Sequence, residues 1–560
     1  MTFSQYPYKR PNMALLRLRA EKTILHMRLA PSYEKFKLAF LEAGAVYNNL
    51  MTMRTLVEIR HAIDTRDAFY DAENEFFNAA IPKITPVFVH VYQTLLSSRF
   101  RAEFEKEYGK QILTIAEIRV KRFSKELVPY MITENKLSSE YEKLLASCDI
   151  ELLGERRNLM GISKLMQSSD RTVRKLAYDA YASFFEANEE KFDAIYDKLV
   201  HARDAMAKKL GYKNFIPLGY MNLSRTDYDA SSVARFREQV RRDLVPVCTK
   251  LREEQAARIG VDKLCYYDEA IEFADGNAVP NGDTEKLVGE ALSMYRALSP
   301  ETAEFFEFMC KKNLMDLETK SGKAAGGFCT FLPDFASPFI FSNFNGTSAD
   351  VDVLTHEAGH AFQAYRAVSS QKLSEYWEST YEVCEIHSMS MEYFAYPYME
   401  KFFGDEADKY CKLHTITGLT FVPYGVLVDE FQHRVYENPD MTPAERKTTW
   451  RELEKIYLPT RDYDGKSIFA RGAFFFKQLH IFMDPFYYID YTLASMGAFE
   501  FFGRMQQDAA SAWADYLKLC DLGGSLPYLS LLKEAHLSNP FEEGSVLNAI
   551  KPLVEQLWPE

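Results

Sequence analysis

The sequence predicts a mainly α-helical protein with a small β-sheet. Apolar residues recur at three- and four-residue spacings through most of the 560 residues, the stripe of amphipathic helices. One stretch, residues 321–353, instead carries glycines and short aromatic runs of strand character. No fixed-period repeat or low-complexity tract points to a solenoid. The length admits roughly three to five ordinary domains, or one large helical body built around a cleft.

From Tyr33 to about Tyr70 the stripe runs through Phe36, Phe40, Leu41, Ala45, Leu56, Ile59 and Ile63. A second, from Val173 to Lys209, alternates Leu176, Ala177, Ala180, Phe184, Phe192, Ile195 and Leu199 with charged residues and stops at Gly211, a helix-ending signal. In residues 321–353, Gly326 and Gly327 precede two apolar runs, Phe328 to Leu332 and Phe339 to Phe344, followed by Asn345-Gly346. Thr347 and Asp350 then stand at capping-box spacing before the helical run VLTHEAGHAFQAYRAV. Helix resumes from there to the end, and a boundary near residue 200 divides an N-terminal helical lobe (1–200) from a second domain (201–560).

Hydrophobic residues at 47% and charged residues at 26%, with 34 Tyr and 41 Phe, describe a globular chain and exclude disordered and fibrous classes. A net charge of −13 argues against a whole-surface grip on phosphate backbones or anionic lipid, so neither nucleic acid nor membrane is an expected partner. The eight cysteines are scattered without a CxxC pair, as suits free thiols in a reducing compartment. With no secretory h-region and no membrane-length apolar run, a cytoplasmic location is expected.

The chemistry centres on His356-Glu357-Ala358-Gly359-His360. An H-E-x-x-H arises by chance only about 0.03 times in a chain of this composition. On a helix it places two imidazoles one turn apart on one face, able to share a Zn2+, with Glu357 positioned as general base toward water at the metal. A catalytic zinc takes a third protein ligand and leaves one position open. The metzincin continuation is absent, because Gln363 and Arg366 occupy its positions. Downstream, Glu378, Glu382, Glu385 and Glu392 share a helical face, and spacing alone leaves Glu382 and Glu385 both open as ligands. His387, two residues from Glu385, would point to a different face. Asp352, one turn before His356, can accept the second ring N–H of that histidine or serve simply as an acid at a helix N-terminus. Among donors for an oxyanion, His480, Tyr487, Tyr488 and Tyr491 are candidates, with Pro485 able to open a helix on which Tyr488 and Tyr491 are neighbours. Tyrosines at such spacing are also ordinary core residues. The run Phe339 to Phe344 could offer a strand edge to an extended peptide, or simply pack the metal helix. Cys329 and Cys384 read as buried small hydrophobes.

HEAGHA, Glu385-x-x-Ser388-x-x-x-Glu392, FIFSNFNGTSADVDVLTHEAGHAFQ, LPTRDYDG and HIFMDPFYYIDYTLA together resemble the thimet oligopeptidase and oligoendopeptidase F family of zinc peptidases, in its bacterial Pz-peptidase-like branch. The resemblance covers at least residues 320–500. It implies two helical lobes around a deep substrate channel, with the small sheet next to the zinc helix. It also implies one Zn2+ on His356, His360 and Glu385, Glu357 as base, and His480, Tyr488 and Tyr491 over the metal, with Tyr487 the spare. The expected activity is endopeptidase cleavage of short unstructured oligopeptides. The alternatives are an H-E-x-x-H carboxypeptidase that reads a free C-terminus through Arg461 or Arg471, and a catalytically silent zinc-containing peptide-binding protein in which His387 or Cys384 closes the metal shell. The sequence leaves oligomeric state open.

Overall fold

The stripe beginning at Tyr33 divides into two helices in the computed structural model of the chain, which describes residues 1–559. After α1 (Met13–Arg28), α2 (Tyr33–Ile63) ends at a turn and α3 (Ala68–Leu96) restarts behind Asp67, whose carboxylate accepts from the Phe69 and Tyr70 amides (2.9 and 3.2 Å). Thr65 ties that turn to the Gly322 carbonyl through both its amide and its hydroxyl (2.7 and 2.8 Å). These three helices and the two that follow, Arg101–Tyr108 and Gln111–Lys121, bury a core of their own, from Leu16 to Ala116, which Leu373 and Tyr376 enter from the second half of the chain. The other long stripe also divides, into Arg171–Ala187 and Glu189–Lys209, and it ends at Gly211 with φ +85°.

Two pieces of strand carry no signal in the sequence. A ribbon pairs β1 (Ile150–Leu152) with β2 (Glu155–Arg157) across Leu153-Gly154, both left-handed; its residues are mostly polar and exposed, so no alternation marks it. β3 (Met315–Glu318) joins the expected pair β4 (Phe328–Leu332) and β5 (Ser337–Phe344) in a three-stranded sheet of order β3-β5-β4. β5 runs parallel to β3 and antiparallel to β4, and its near-continuous apolar run is buried because it is the central strand. The expectation that Phe339 to Phe344 offers a free edge is therefore corrected: both its sides are paired, and β4 is an outer strand.

β5 feeds α4 (Ala349–Ser370), which carries the H-E-x-x-H. The capping box expected from Thr347 and Asp350 does not form. Asp350 turns back to accept from the Asn345 and Gly346 amides (2.9 and 2.7 Å), so it fastens the strand-to-helix turn instead of the helix end. α4 packs on β5 and on α5 (Tyr381–Phe394), which lies in turn against α8 (Tyr488–Leu522); α6 (Ala407–Glu437) and the short α7 (Leu479–Met483) complete the surroundings. The chain is mainly helical with only small sheets, as the sequence predicts. No helix among the described residues is long and apolar enough to cross a membrane.

Candidate active site

α4 and α5 cross with their backbones almost touching, and Gly359 is what permits it. A Cβ built on Gly359 would lie 2.6 Å from Ser388 Cα and 2.7 Å from the His387 carbonyl oxygen. At this crossing His356 Nε2 and His360 Nε2 converge on one oxygen of Glu385, at 3.2 and 3.3 Å. The ligand atoms of the three residues lie within 4.8 Å of one another, and no other group of His, Cys, Asp and Glu among the described residues does so. The two imidazoles keep 21% and 19% of their side-chain surface accessible, whereas Glu385 keeps 1%, so the cluster is open on the histidine side only.

Charge makes this a cation site in waiting. Burial opposes ionisation of both His356 and Glu385, yet their mutual hydrogen bonds overcome it. The imidazole of His356, bonded to Glu385 and Glu392, is held well above its usual pKa, and the Glu385 carboxyl, beside His360 and His356, well below. Two imidazole nitrogens and a carboxylate oxygen brought together in this way are a donor set suited to zinc. Tyr487 donates its hydroxyl to the second oxygen of Glu385, and the Ser388 hydroxyl lies 3.0 Å from the first.

Glu357 lies on the turn between the two histidines, 7% exposed, with one carboxylate oxygen lacking any hydrogen-bond partner. Burial raises its pKa while His356 and His360 oppose. A desolvated carboxylate with an unpartnered oxygen, on the same helix turn as the two histidines, is chemically a base.

The partner of His356 Nδ1 is Glu392, at 2.6 Å. Asp352, expected in that role, instead accepts from the Tyr410 hydroxyl, and burial lifts its carboxyl to about 6. The reason is geometric: with Nε2 turned to Glu385, Nδ1 faces the residue two turns further along the same face of α5. Glu392 also pairs with His414 Nε2 (2.5 Å), whose Nδ1 meets the Tyr396 hydroxyl at 2.7 Å. The spacing of seven between Glu385 and Glu392 was the signal that could have found it. We expect Glu392→Gln to fold normally and to weaken metal affinity about 10- to 100-fold, read by competition with a chromogenic chelator.

The remaining candidates do not join the cluster. Glu382 is fully buried elsewhere, both oxygens without a hydrogen bond, near Arg225. His387 is fully buried with neither nitrogen bonded, and burial pushes its pKa down to about 3, a neutral core imidazole. The thiol of Cys384 donates to the Ser379 carbonyl at 3.6 Å.

His480 stands on α7 with Nε2 3.2 Å from the Tyr491 hydroxyl. Tyr488 packs its ring 5.0 Å from the His480 ring and against Phe421 and Tyr424, while Tyr487, expected to be the spare, touches Glu385. Phe486 decides this register. Its φ of +69° breaks the chain after Pro485, so α8 opens at Tyr488 and the preceding tyrosine swings toward the ligand helix.

Two imidazoles and a carboxylate at a helix crossing, in a helical fold with a sheet beside it, are the arrangement an H-E-x-x-H metallopeptidase would use, and comparison with known proteins identifies a peptidase. The model of the Peptidase M3 N-terminal domain matches residues 3–123, and that of Peptidase family M3 matches residues 164–278 and 300–549. The chain belongs to peptidase family M3. Among solved structures it is similar to PZ peptidase A with an inhibitor, at 48% identity with 99% of each chain covered and a TM-score of 0.98. It is similar as well to a provisionally named oligoendopeptidase F, at 49% identity with 100% of this chain and 99% of that one covered and a TM-score of 0.98. An oligoendopeptidase F homolog of Borreliella burgdorferi is 23% identical over 373 residues, 64% of this chain; the match spans 60% of that relative's length.

Proposed function

We propose that the protein is a zinc-dependent endopeptidase that hydrolyses internal bonds of short, unstructured oligopeptides. The observation that carries this reading is the convergence of His356, His360 and Glu385 beside the buried, unpartnered carboxylate oxygen of Glu357. Those three residues would hold the Zn2+, which when bound supplies a Lewis acid for the scissile carbonyl and makes water a better nucleophile. Glu357 accepts the proton of the attacking water and returns it to the leaving amine. His480 and Tyr491, linked at 3.2 Å, donate toward the oxyanion, with Tyr488 flanking them. Tyr487 and Ser388 hold Glu385 in place. The outer strand β4 offers backbone to an extended substrate, and Gly327 at its start brings the chain within reach of Glu357, 3.6 Å from an added Cβ. Two helical lobes around a deep channel would admit unfolded peptides and exclude folded proteins.

The rival readings lack such support. A carboxypeptidase needs a free cation for the terminal carboxylate, whereas Arg461 is committed to Glu269 (3.0 and 2.6 Å) and Arg471 to Glu186 and Glu189 (3.0 and 3.2 Å). A closed, purely structural metal needs a fourth ligand, and neither His387 nor Cys384 belongs to the cluster.

A pool of N-acetylated, C-amidated peptides of varied length, read by mass spectrometry, tests the proposal. We expect internal cuts by the wild type and none by Glu357→Gln. Cleavage only after the C-terminus is freed would transfer the assignment to a carboxypeptidase, and no cleavage of either pool would support a peptide-binding role.

A further inference from the structure

A histidine can donate from either ring nitrogen, and which one carries the proton is set by the partner of the other. Beside His480 that partner is Gln478, two residues earlier and 8% exposed. The carboxamide oxygen of Gln478 accepts from the Tyr424 hydroxyl on α6 at 2.7 Å, which turns its amide nitrogen to His480 Nδ1, 3.1 Å away. An amide nitrogen only donates, so Nδ1 must present a lone pair and the ring proton must reside on Nε2. Nε2 faces Tyr491, whose ring lies 5.0 Å from that of Tyr487, the tyrosine bonded to Glu385.

We infer that Gln478, oriented by Tyr424, is a positioning residue that locks His480 as the Nε2–H tautomer, making the imidazole a fixed hydrogen-bond donor. The inference rests on the peptidase reading above and specifies what His480 contributes to it. The groups facing this ring are Tyr487 just before α8, Tyr488 and Tyr491 on α8, Gln478 from its own segment, and more distantly Glu385 from α5. Burial lowers the imidazole pKa to about 4, with Glu385 opposing, so the ring is neutral at ordinary pH and has a single proton to place. A neutral ring with the wrong tautomer would aim a lone pair at a developing negative charge. With the lock in place the donor survives across the whole neutral and alkaline range, and His480 exchanges no proton during turnover.

Gln478→Glu reverses the lock while keeping the shape. A carboxylate accepts from Nδ1–H, so above the imidazole pKa, which the new charge raises, Nε2 becomes a lone pair. We expect kcat on a blocked internal-cleavage peptide to fall about 10²-fold near pH 8, the scale of losing one oxyanion donor. KM should stay within about twofold, because the interaction is made mainly in the transition state. As pH falls toward about 6 the imidazolium regains Nε2–H and the deficit shrinks, a dependence the wild type lacks. Gln478→Met, which can neither donate nor accept strongly, should lose less and show no such recovery. NMR of isotope-labelled histidine in the wild type reads the tautomer directly, with the His480 signal assigned by its absence from His480→Gln. A wild-type ring protonated at Nδ1 overturns the inference whatever the variants do, as does a Gln478→Glu enzyme with wild-type kcat and pH profile. The peptidase reading fails separately, if Glu357→Gln stays active.

Discussion

Glu357→Gln should lower kcat by about 10²–10⁴-fold, the span that positioned acid–base catalysis contributes, while folding and metal content should stay at wild-type levels. The expectation follows from the position of the carboxylate. It is buried, one of its oxygens has no partner, and burial raises its pKa, so its charge is a cost to the fold. The isosteric amide removes that cost and the base together, so thermal stability holds or rises as activity disappears. Because none of the three proposed ligands is altered, metal content measured on the same sample separates a lost base from a lost site. Wild-type turnover by this variant would disprove the mechanism.

Gly359→Ala should damage stability, metal affinity and activity at once. The added Cβ meets the Ser388 Cα and the His387 carbonyl, backbone atoms that cannot rotate aside, so α4 and α5 must move apart. Overpacking of this kind costs about 1–3 kcal/mol. The same movement carries His356 and His360 on one helix away from Glu385 on the other, and a metal site tolerates only about 0.2 Å in ligand distance. A melting curve and a chelator competition should therefore fall together, with metal affinity weakened at least about tenfold. Gly289→Ala is the control: its Cβ would meet nothing within 4 Å, on a helix, and removing a helical glycine should be neutral or stabilising by about 0.5–1 kcal/mol. An alanine at 359 with unchanged metal affinity would show that the close helix crossing does not set the site.

The helical stripes, the two apolar runs of the sheet and the helix carrying the H-E-x-x-H were all legible, because helix and strand periodicities are local and the site motif occupies a single turn. Elements without periodicity were not. The polar ribbon β1–β2 has no alternation to read, and the four-residue β3 becomes a strand only by pairing with β5. Asp350 illustrates a different limit. Its spacing fits a cap, but the amides of Asn345 and Gly346 compete for the same carboxylate and win.

At the site, the sequence by itself determined which groups α4 brings together: two imidazoles and a carboxylate placed by helical pitch. It also placed Glu385 and Glu392 on a common face of the next helix. Only the tertiary structure decided which carboxylate meets which nitrogen, with Glu385 on Nε2 and Glu392, not Asp352, on Nδ1 of His356. It likewise decided that Tyr487 reaches Glu385, because one left-handed residue, Phe486, resets the register before α8. It set the tautomer of His480 through Tyr424, a residue 54 positions earlier in the chain than Gln478. Helical pitch is a local property that a sequence pattern expresses. Ring orientation and proton position are fixed by partners on other helices, and those become neighbours only when the chain folds.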